Sequence, residues 1–150
     1  MKYKEEFYQQ LGKAIALAAN IFKDKVDKQG MPYILHCLFV MNKCSDDPEI
    51  KVVGVLHDVV EDFPHQWPVG RLEDELNLTH RQLMALKKLT HDPKISYGEY
   101  IKEIATNLDA VAVKRTDLRH NTDILRLKGL RKKDFDRLEQ YHRAFVYLSE

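Results

Sequence analysis

The chain has 150 residues, of which 44% are hydrophobic and 31% are charged, and its formal net charge is +1. This length suits one domain with a hydrophobic core, and the composition is that of a folded globular protein rather than a disordered one. The net charge excludes a general electrostatic attraction to nucleic acid or to an anionic membrane.

Neither a signal peptide nor a membrane span is expected. The N-terminal segment MKYKEEFYQQLGKAIALAAN has no continuous apolar stretch, and no window approaches the roughly 18 apolar residues of a membrane helix. Cys37 and Cys44 lie seven apart in an apolar helical segment, a spacing that matches neither a CxxC motif nor a disulfide framework. We therefore expect a cytoplasmic protein with two reduced, buried thiols and no membrane partner.

Apolar residues recur at every third and fourth position, and no alternating run is long enough for a strand, which predicts an all-α fold. We expect one domain, residues 1–150, built as a helical bundle of about seven to eight helices. The inward stripe of the first helix is predicted to consist of Phe7, Leu11, Ile15, Ala18 and Phe22. The predicted helices span approximately residues 4–25, 32–41, 50–62, a short segment after FPHQWP, the segment LTHRQLMALKKL with Thr79 as its N-cap, 97–106, 108–126 and 132–148.

The segment GVLHDVVED, residues 54–62, carries the most informative polar residues. On a helix of about 100° per residue, His57, Asp58, Glu61 and Asp62 share one arc and the aliphatic residues occupy the opposite one. Alone, this pattern indicates a solvated amphipathic helix. However, the polar arc contains no lysine or arginine, and a bound cation would relieve the repulsion between neighbouring carboxylates. An adjacent His-Asp pair offers ligands that suit Mn, Fe or Zn.

Further ligands are present elsewhere. His36 lies in PYILHCLFV, and VKRTDLRHNTD places Lys114, Asp117 and Asn121 on one helix face. Each of these alone is more often a core residue or a polar stripe. The ordered set of His36, then His57 and Asp58, then Asp117 is different, because two histidines and two aspartates from three helices are how helical bundles build interior metal sites.

With these motifs, the sequence resembles the HD-domain metal-dependent phosphohydrolases, in particular the hydrolase domain of the RelA/SpoT group and its small stand-alone relatives. GMPYILH is similar to GxPYxxH of that group, LHDVVED to LHDxxED, and VAVKRTDLRHN to VKxADxxHN. The segments SYGEYIKEIATN and RLEQYHRA also fit, so the resemblance runs from about Leu11 to Tyr147.

The resemblance implies a role for each matching residue. His36, His57, Asp58 and Asp117 are expected to bind one divalent metal, most often Mn²⁺ in this group, with Fe, Zn or Co as alternatives. Glu61 and Asp62 are expected to be the catalytic acidic pair, which would orient a metal-activated water and handle its proton. Substrate contacts are expected from Asn121, Arg137 and Tyr141, and Lys28 and Lys114 join Arg137 as candidates to offset phosphate charge. For these three cations a plain surface role is an equal alternative.

The sequence departs from the family pattern at several positions. Phe22 and Lys25 stand where family members often have histidine and glutamine, Cys37 replaces a proline, and Arg115-Thr116 precede the metal aspartate. The change at Phe22 and Lys25 leaves the identity of the nucleotide base open. The change at Arg115-Thr116 could tune the metal site or only change its packing.

The expected function is removal of the 3′-pyrophosphate from (p)ppGpp by metal-activated water. One alternative is the same chemistry on another nucleotide, such as the 2′-phosphate of NADPH, a nucleoside monophosphate or a cyclic nucleotide. The other is a non-catalytic nucleotide-sensing module, for which the basic segment RLKGLRKKDFDR is the best support. Interleaved aspartates and a lack of stacking aromatics make that segment a poor nucleic-acid groove. The oligomeric state is not predicted.

Overall fold

A computed structural model describes residues 2–150, apart from the side chain of Tyr3. In this range the chain forms α-helices and one short 3₁₀ helix, with no β-strand, which confirms the predicted all-α helical bundle. The α-helices are α1 Lys2–Ile21, α2 Ile34–Cys44, α3 Pro48–Leu56, α4 Val59–Asp62, α5 Val69–Leu76, α6 His80–Leu89, α7 Tyr97–Ile104, α8 Leu108–Asn121 and α9 Lys132–Ser149, and the 3₁₀ helix is Ile124–Arg126.

The predicted continuous helix over residues 50–62 is wrong, because the chain turns at His57 and Asp58 between α3 and α4. Nδ1 of His57 lies 2.7 Å from the carbonyl oxygen of Gly54, so the side chain competes for the acceptor that a continuous helix would offer to the amide of residue 58. Counted as one interrupted helix, α3 and α4 bring the total within the predicted seven to eight.

The predicted boundaries of three other helices also differ. Helix α1 ends at Ile21 rather than near residue 25, and the ring of Phe22 then packs against those of Tyr33 and Phe63, at centroid distances of 5.1 and 5.4 Å. Helix α2 begins two residues and ends three residues later than predicted. Helix α8 ends at Asn121, well before residue 126, because the Asp123 side chain accepts from the amide of Leu125 and starts the 3₁₀ helix instead.

The start of α6, in contrast, was predicted correctly from its capping residue. The Thr79 side chain accepts a hydrogen bond from the amide of Gln82 at 3.2 Å, and the Gln82 side chain accepts one from the amide of Thr79 at 2.9 Å. This reciprocal capping box begins α6 where the sequence predicted it.

The hydrophobic core is centred on α3, which packs against α1, α2 and α6. Of the stripe predicted for the first helix, Phe7, Leu11, Ala18 and Phe22 are buried, whereas Ile15 is half-buried. Neither cysteine forms a disulfide; Cys37 is fully buried and Cys44 is half-buried. Burial raises the pKa of the Cys44 thiol to about 11, which keeps it protonated and unreactive near neutral pH.

Close packing of α2 on α3 depends on Gly54. A Cβ atom at this position would lie 2.9 Å from Sγ of Cys44 and 3.0 Å from Cα of Met41. Only glycine allows this approach of the two backbones, which brings His36 on α2 near His57 at the end of α3. Across residues 2–150, none of the helices has the length and apolar character needed to cross a membrane.

Candidate metal centre

Two histidines and two aspartates converge in the interior of the bundle. His36 comes from α2, His57 and Asp58 from the turn after α3, and Asp117 from α8, and one potential ligand atom of each lies within 4.8 Å of the others. Nε2 of His36 is 3.0 Å from Oδ1 of Asp117, and Nε2 of His57 is 3.1 Å from Oδ2 of Asp58. The two histidines and Asp117 are buried, and Asp58 is half-buried. The four residues that the sequence grouped are therefore neighbours in space.

A backbone contact determines the orientation of His57. Its Nδ1 lies 2.7 Å from the carbonyl oxygen of Gly54, and because a carbonyl can only accept, Nδ1 carries the proton. In the neutral ring, Nε2 then has a free lone pair, and this lone pair faces the two aspartates. A hydrogen bond of this kind on the remote nitrogen is how proteins orient metal-binding histidines.

His36 is oriented by another histidine. Its Nδ1 lies 2.7 Å from Nδ1 of His120, and the two rings are nearly parallel, 5.0 Å apart. Burial, together with the positive charge of Arg126, lowers the pKa of His120 to about 4, so His120 is neutral near pH 7. A neutral His120 can accept from Nδ1 of His36, which leaves the Nε2 lone pair of His36 directed at the aspartates.

Three donors hold the carboxylates in place. The Tyr33 hydroxyl donates to Oδ2 of Asp58 at 2.5 Å, Lys114 Nζ donates to Oδ2 of Asp117 at 2.8 Å, and Asn121 Nδ2 donates to Oδ1 of Asp117 at 2.9 Å. Burial alone would raise the pKa of both aspartates. The neighbouring histidines overcome this for Asp58, and Lys114 with the histidines overcomes it for Asp117, so both pKa values lie below their ordinary range. Both side chains are therefore carboxylates near neutral pH.

The donor set fits a divalent metal ion. Within the described chain, the buried Nε2 atoms of His36 and His57 have no hydrogen-bond partner. Leaving buried polar atoms without a partner is costly, and two imidazole lone pairs facing two carboxylates are suitable ligands for Mn, Fe or Zn. The group could thus hold a metal ion; its donor types do not single out one metal.

The predicted acidic pair lies one turn beyond Asp58, on α4. The Glu61 carboxylate accepts a hydrogen bond from the amide of His91 at 2.9 Å, and the Asp62 carboxylate accepts one from Nζ of Lys25 at 2.5 Å. Partial burial, reinforced by the negative charge of Asp58, raises the pKa of both groups above the ordinary values, and the bond from Lys25 only partly offsets this for Asp62. Raised pKa values suit groups that exchange protons near neutral pH.

Four of the five predicted substrate-binding residues line one cavity of about 300 Å³ between the α1–α2 loop and α9. Lys28, Asn121, Arg137 and Tyr141 are among its lining residues, and Tyr33 and Lys25 line it as well. Because Tyr33, Lys25 and Asn121 also bond to the carboxylates of the centre and its acidic neighbours, the cavity adjoins the four-residue cluster.

The other predicted substrate residue, Lys114, lies elsewhere. Its side chain is 12% exposed, and its ammonium is paired with Asp117 and lies 5.3 Å from the centre of the Tyr100 ring. Burial alone would lower the pKa of Lys114. The Asp117 carboxylate outweighs burial, so this pKa lies well above its ordinary value. In this position the Lys114 ammonium primarily offsets the negative charge of the Asp117 carboxylate.

Several residues at the site have roles that the sequence alone does not predict. Tyr33 and His120 both lie inside the quoted motifs, as the Y of GMPYILH and the H of DLRHN. The motifs therefore contain both residues but do not predict a role for either. Lys25 differs from the family pattern, and in the structure its ammonium lies 4.0 Å from the centre of the Tyr33 ring and pairs with Asp62. These contacts depend on the meeting of distant segments.

The departure beside Asp117 affects packing. The Arg115 guanidinium lies 5.3 Å from the centre of the Phe145 ring on α9, and the Thr116 hydroxyl donates to the carbonyl of Ala112 at 3.0 Å. The Arg115 side chain therefore contacts α9 and the Thr116 side chain contacts α8 itself. These contacts are those expected if the departure changes the packing beside the site.

No model of a known protein family matches this sequence. The likeness to HD-domain phosphohydrolases therefore rests on the quoted motifs and stays a prediction. Independently of that likeness, the three motifs supply the four residues that converge in space.

Proposed function

We propose that this protein is a metal-dependent phosphohydrolase of the HD-domain type, which removes the 3′-pyrophosphate of a guanosine polyphosphate such as ppGpp. The observation that carries the proposal is the convergence of His36, His57, Asp58 and Asp117 next to a cavity lined by cations. A metal site alone could be structural. A metal site that adjoins a cavity with Lys28 and Arg137 suits a phosphate ester.

The four converging residues would hold one divalent ion, with Mn²⁺ proposed. Such an ion supplies a Lewis acid, which acidifies water and offsets the charge of the phosphate. The residues of the chain prepare this site: Gly54 and His120 orient the imidazoles, and Tyr33 and Lys114 hold the carboxylates.

The acidic pair on α4 is proposed to manage the proton of the attacking water. The water oxygen bonds to phosphorus as the bond from phosphorus to the 3′ oxygen breaks, and a carboxylate of Glu61 or Asp62 takes the proton from the water and returns one to the leaving oxygen. The amide of His91 and the ammonium of Lys25 each leave one carboxylate oxygen free for this transfer. No covalent enzyme intermediate is needed.

The remaining cavity residues are proposed to bind the nucleotide. Arg137 is held by the Asp134 carboxylate at 2.6 Å, which orients its guanidinium. Asn121 already donates to Asp117, so its position links substrate binding to the metal centre. Tyr141 offers a half-buried ring at the wall of the cavity.

Lys25 supports a second candidate, the same chemistry on a different nucleotide. This lysine stands where the resembled family often has glutamine, lines the nucleotide cavity and pairs with one of the proposed catalytic acids. Such a change alters the polar groups available to a base or ribose, so NADPH, a nucleoside monophosphate or a cyclic nucleotide could take the place of ppGpp.

A phosphate-release screen of the Mn²⁺-loaded protein tests both candidates. The substrates are ppGpp, NADPH, cyclic nucleotides and nucleoside mono- and triphosphates, and the variants are Asp58→Ala and His57→Ala, with the exposed Asp46→Ala as a matched control. We expect turnover of ppGpp by the wild type and by the control, and its loss in the two site variants. Full ppGpp hydrolysis by Asp58→Ala would contradict the proposal, turnover of another substrate would favour the second candidate, and no turnover at all would favour a nucleotide sensor.

A further inference from the structure

Tyr97, the first residue of α7, has no part in the proposed chemistry. Its hydroxyl oxygen is buried, and among the described residues it has no hydrogen-bond partner. The residue is half-buried and lines a cavity of about 500 Å³ between α7 and α9. Because the exposed part of Tyr97 faces this cavity while its oxygen is buried, the hydroxyl points into the bundle.

Two aromatic neighbours place Tyr97 between the substrate cavity and the acidic pair. The centre of its ring lies 6.1 Å from that of Tyr141, which lines the substrate cavity. It also lies 6.2 Å from the centre of the His91 ring, and the amide of His91 donates to the Glu61 carboxylate at 2.9 Å. Tyr97 is therefore next to a residue that lines the cavity and to a residue that holds one of the proposed catalytic acids.

The charged groups around Tyr97 belong to the metal centre and its surroundings. A third ring, that of Tyr100, lies 5.8 Å from the Tyr97 ring and 5.3 Å from the Lys114 ammonium. The charges of Lys114, Asp117 and Glu61 act on the ionisation of the Tyr97 hydroxyl, so these groups lie near it. Burial raises the pKa of Tyr97 to about 12, so the hydroxyl keeps its proton near neutral pH and can donate a hydrogen bond.

The two carboxylates near this hydroxyl accept from other donors. Asp117 accepts from the Lys114 ammonium and from the Asn121 amide, and Glu61 accepts from the amide of His91. A buried donor without an acceptor is costly, and this cost is avoided when a ligand supplies the acceptor. A phosphate oxygen beside the metal centre is an acceptor of this kind.

We infer that Tyr97 is a further catalytic residue, whose hydroxyl donates a hydrogen bond to a non-bridging oxygen of the phosphoryl group that water attacks. This inference rests on the proposed function. The proton stays on the hydroxyl, and no covalent bond to Tyr97 forms or breaks. A donor that is fixed in place and aimed at an oxygen on which negative charge develops stabilises the transition state more than the ground state. The three rings around Tyr97 hold it in place.

The first test compares stability. Tyr97→Phe removes the hydroxyl and keeps the ring, and because this hydroxyl has no partner among the described residues, its loss should not lower the urea midpoint of unfolding. The neighbouring Tyr100 hydroxyl donates to the carbonyl of Leu89 at 2.5 Å, so Tyr100→Phe should lower the midpoint. A midpoint that falls as far in Tyr97→Phe as in Tyr100→Phe would show that the Tyr97 hydroxyl has a structural partner, and it would overturn the inference.

The second test measures the contact without turnover. Inorganic phosphate is titrated calorimetrically into the Mn²⁺-loaded protein, and its affinity should be about tenfold lower in Tyr97→Phe, since a hydrogen bond to a charged group is lost. The exposed Tyr8→Phe on α1 is the matched control and should bind phosphate as the wild type does. Fluorotyrosine at position 97 should change its fluorine NMR shift when phosphate is added, whereas fluorotyrosine at position 8 should not. An unchanged affinity in Tyr97→Phe contradicts the inference.

The third test separates a catalytic role from a role in binding alone. With the nucleotide that the phosphate-release screen identifies, Tyr97→Phe should lower kcat about a hundredfold and change KM much less, because the contact is strongest in the transition state. Hydrolysis with the same kcat in the wild type and in Tyr97→Phe refutes the role of Tyr97 and leaves the proposed function standing. Absence of hydrolysis of every nucleotide by the wild type refutes the proposed function, and the catalytic role with it.

Discussion

Nδ1 of His36 lies 2.7 Å from Nδ1 of His120, and the His120 ring is stacked on Phe39 with centroids 4.0 Å apart. Two ring nitrogens at this distance share one proton, so His120 decides which nitrogen of His36 is free. With the proton on Nδ1 of His36, its Nε2 faces Asp58 and Asp117. His120 is thus a positioning residue for the centre.

Removing His120 should weaken metal binding without removing a ligand. In His120→Ala we expect the Mn²⁺ affinity to fall about tenfold, the usual effect of losing a partner that orients a metal-binding histidine. Isothermal titration of Mn²⁺ measures this, with the exposed His142→Ala on α9 as the control. An unchanged Mn²⁺ dissociation constant in His120→Ala would contradict the positioning role.

Metal affinity should depend steeply on pH. Burial alone would lower the pKa of both imidazoles, but the carboxylates of Asp58 and Asp117 raise the pKa of His36 above 6.5 and that of His57 well above it. Only the neutral imidazole binds metal. Protons therefore compete with the metal both in the pH range in which a histidine ordinarily titrates and at higher pH.

We therefore expect the Mn²⁺ affinity to rise between about pH 6 and 8 and proton release to accompany binding. Titrations in buffers with different ionisation enthalpies count the released protons. An affinity that is level across this range, with no proton release, would show that the imidazoles are already neutral.

Gly54 and Gly12 form a matched pair for stability. At Gly54 an added Cβ meets Cys44 and Met41 at 2.9 and 3.0 Å, so Gly54→Ala should destabilise the fold by about 1–3 kcal/mol. At Gly12, in the middle of α1, nothing lies within 4 Å, so Gly12→Ala should stabilise the fold by about 0.5–1 kcal/mol. Urea unfolding measures both changes; a loss of stability in Gly12→Ala would count against this account of the two helices.

Asp27 should make stability depend on pH in the acid range. Burial opposes ionisation, but amides of Met31 and Gln29 and the charge of Arg126 outweigh it and lower the pKa of Asp27 below 3.8. Because the folded state binds this proton less readily than the unfolded state, the stabilisation is complete above about pH 4 and is lost as the pH falls through the lowered pKa.

Asp27→Asn should therefore destabilise the protein by about 1 kcal/mol near neutral pH, and the difference from the wild type should vanish in acid. Thermal unfolding at several pH values measures it. The exposed Asp24→Asn serves as the control and should change stability little at any pH. A difference that persists unchanged into acid would mean that packing, not charge, causes the effect.

The success of sequence-based prediction varied with the range of the interactions involved. The capping box of Thr79 was predictable because its partners lie three residues apart. The continuous helix over residues 50–62 was a wrong prediction, because the turn at His57 coincides with a side-chain contact to Gly54 that hydrophobic periodicity does not encode. The same holds for the end of α8, where the Asp123 side chain starts a new turn.

The sequence by itself determined the all-α character and the residue types of the centre, because apolar periodicity and the order of motifs are properties of local segments. Tertiary structure alone decided which distant groups meet: His36 with His120, and Lys25 with Asp62. These pairs join segments far apart in the chain, and hydrogen bonds and ion pairs act only over a few ångströms. Their formation therefore depends on how closely α2 approaches α8 and the α1–α2 loop approaches α4, which no single segment specifies.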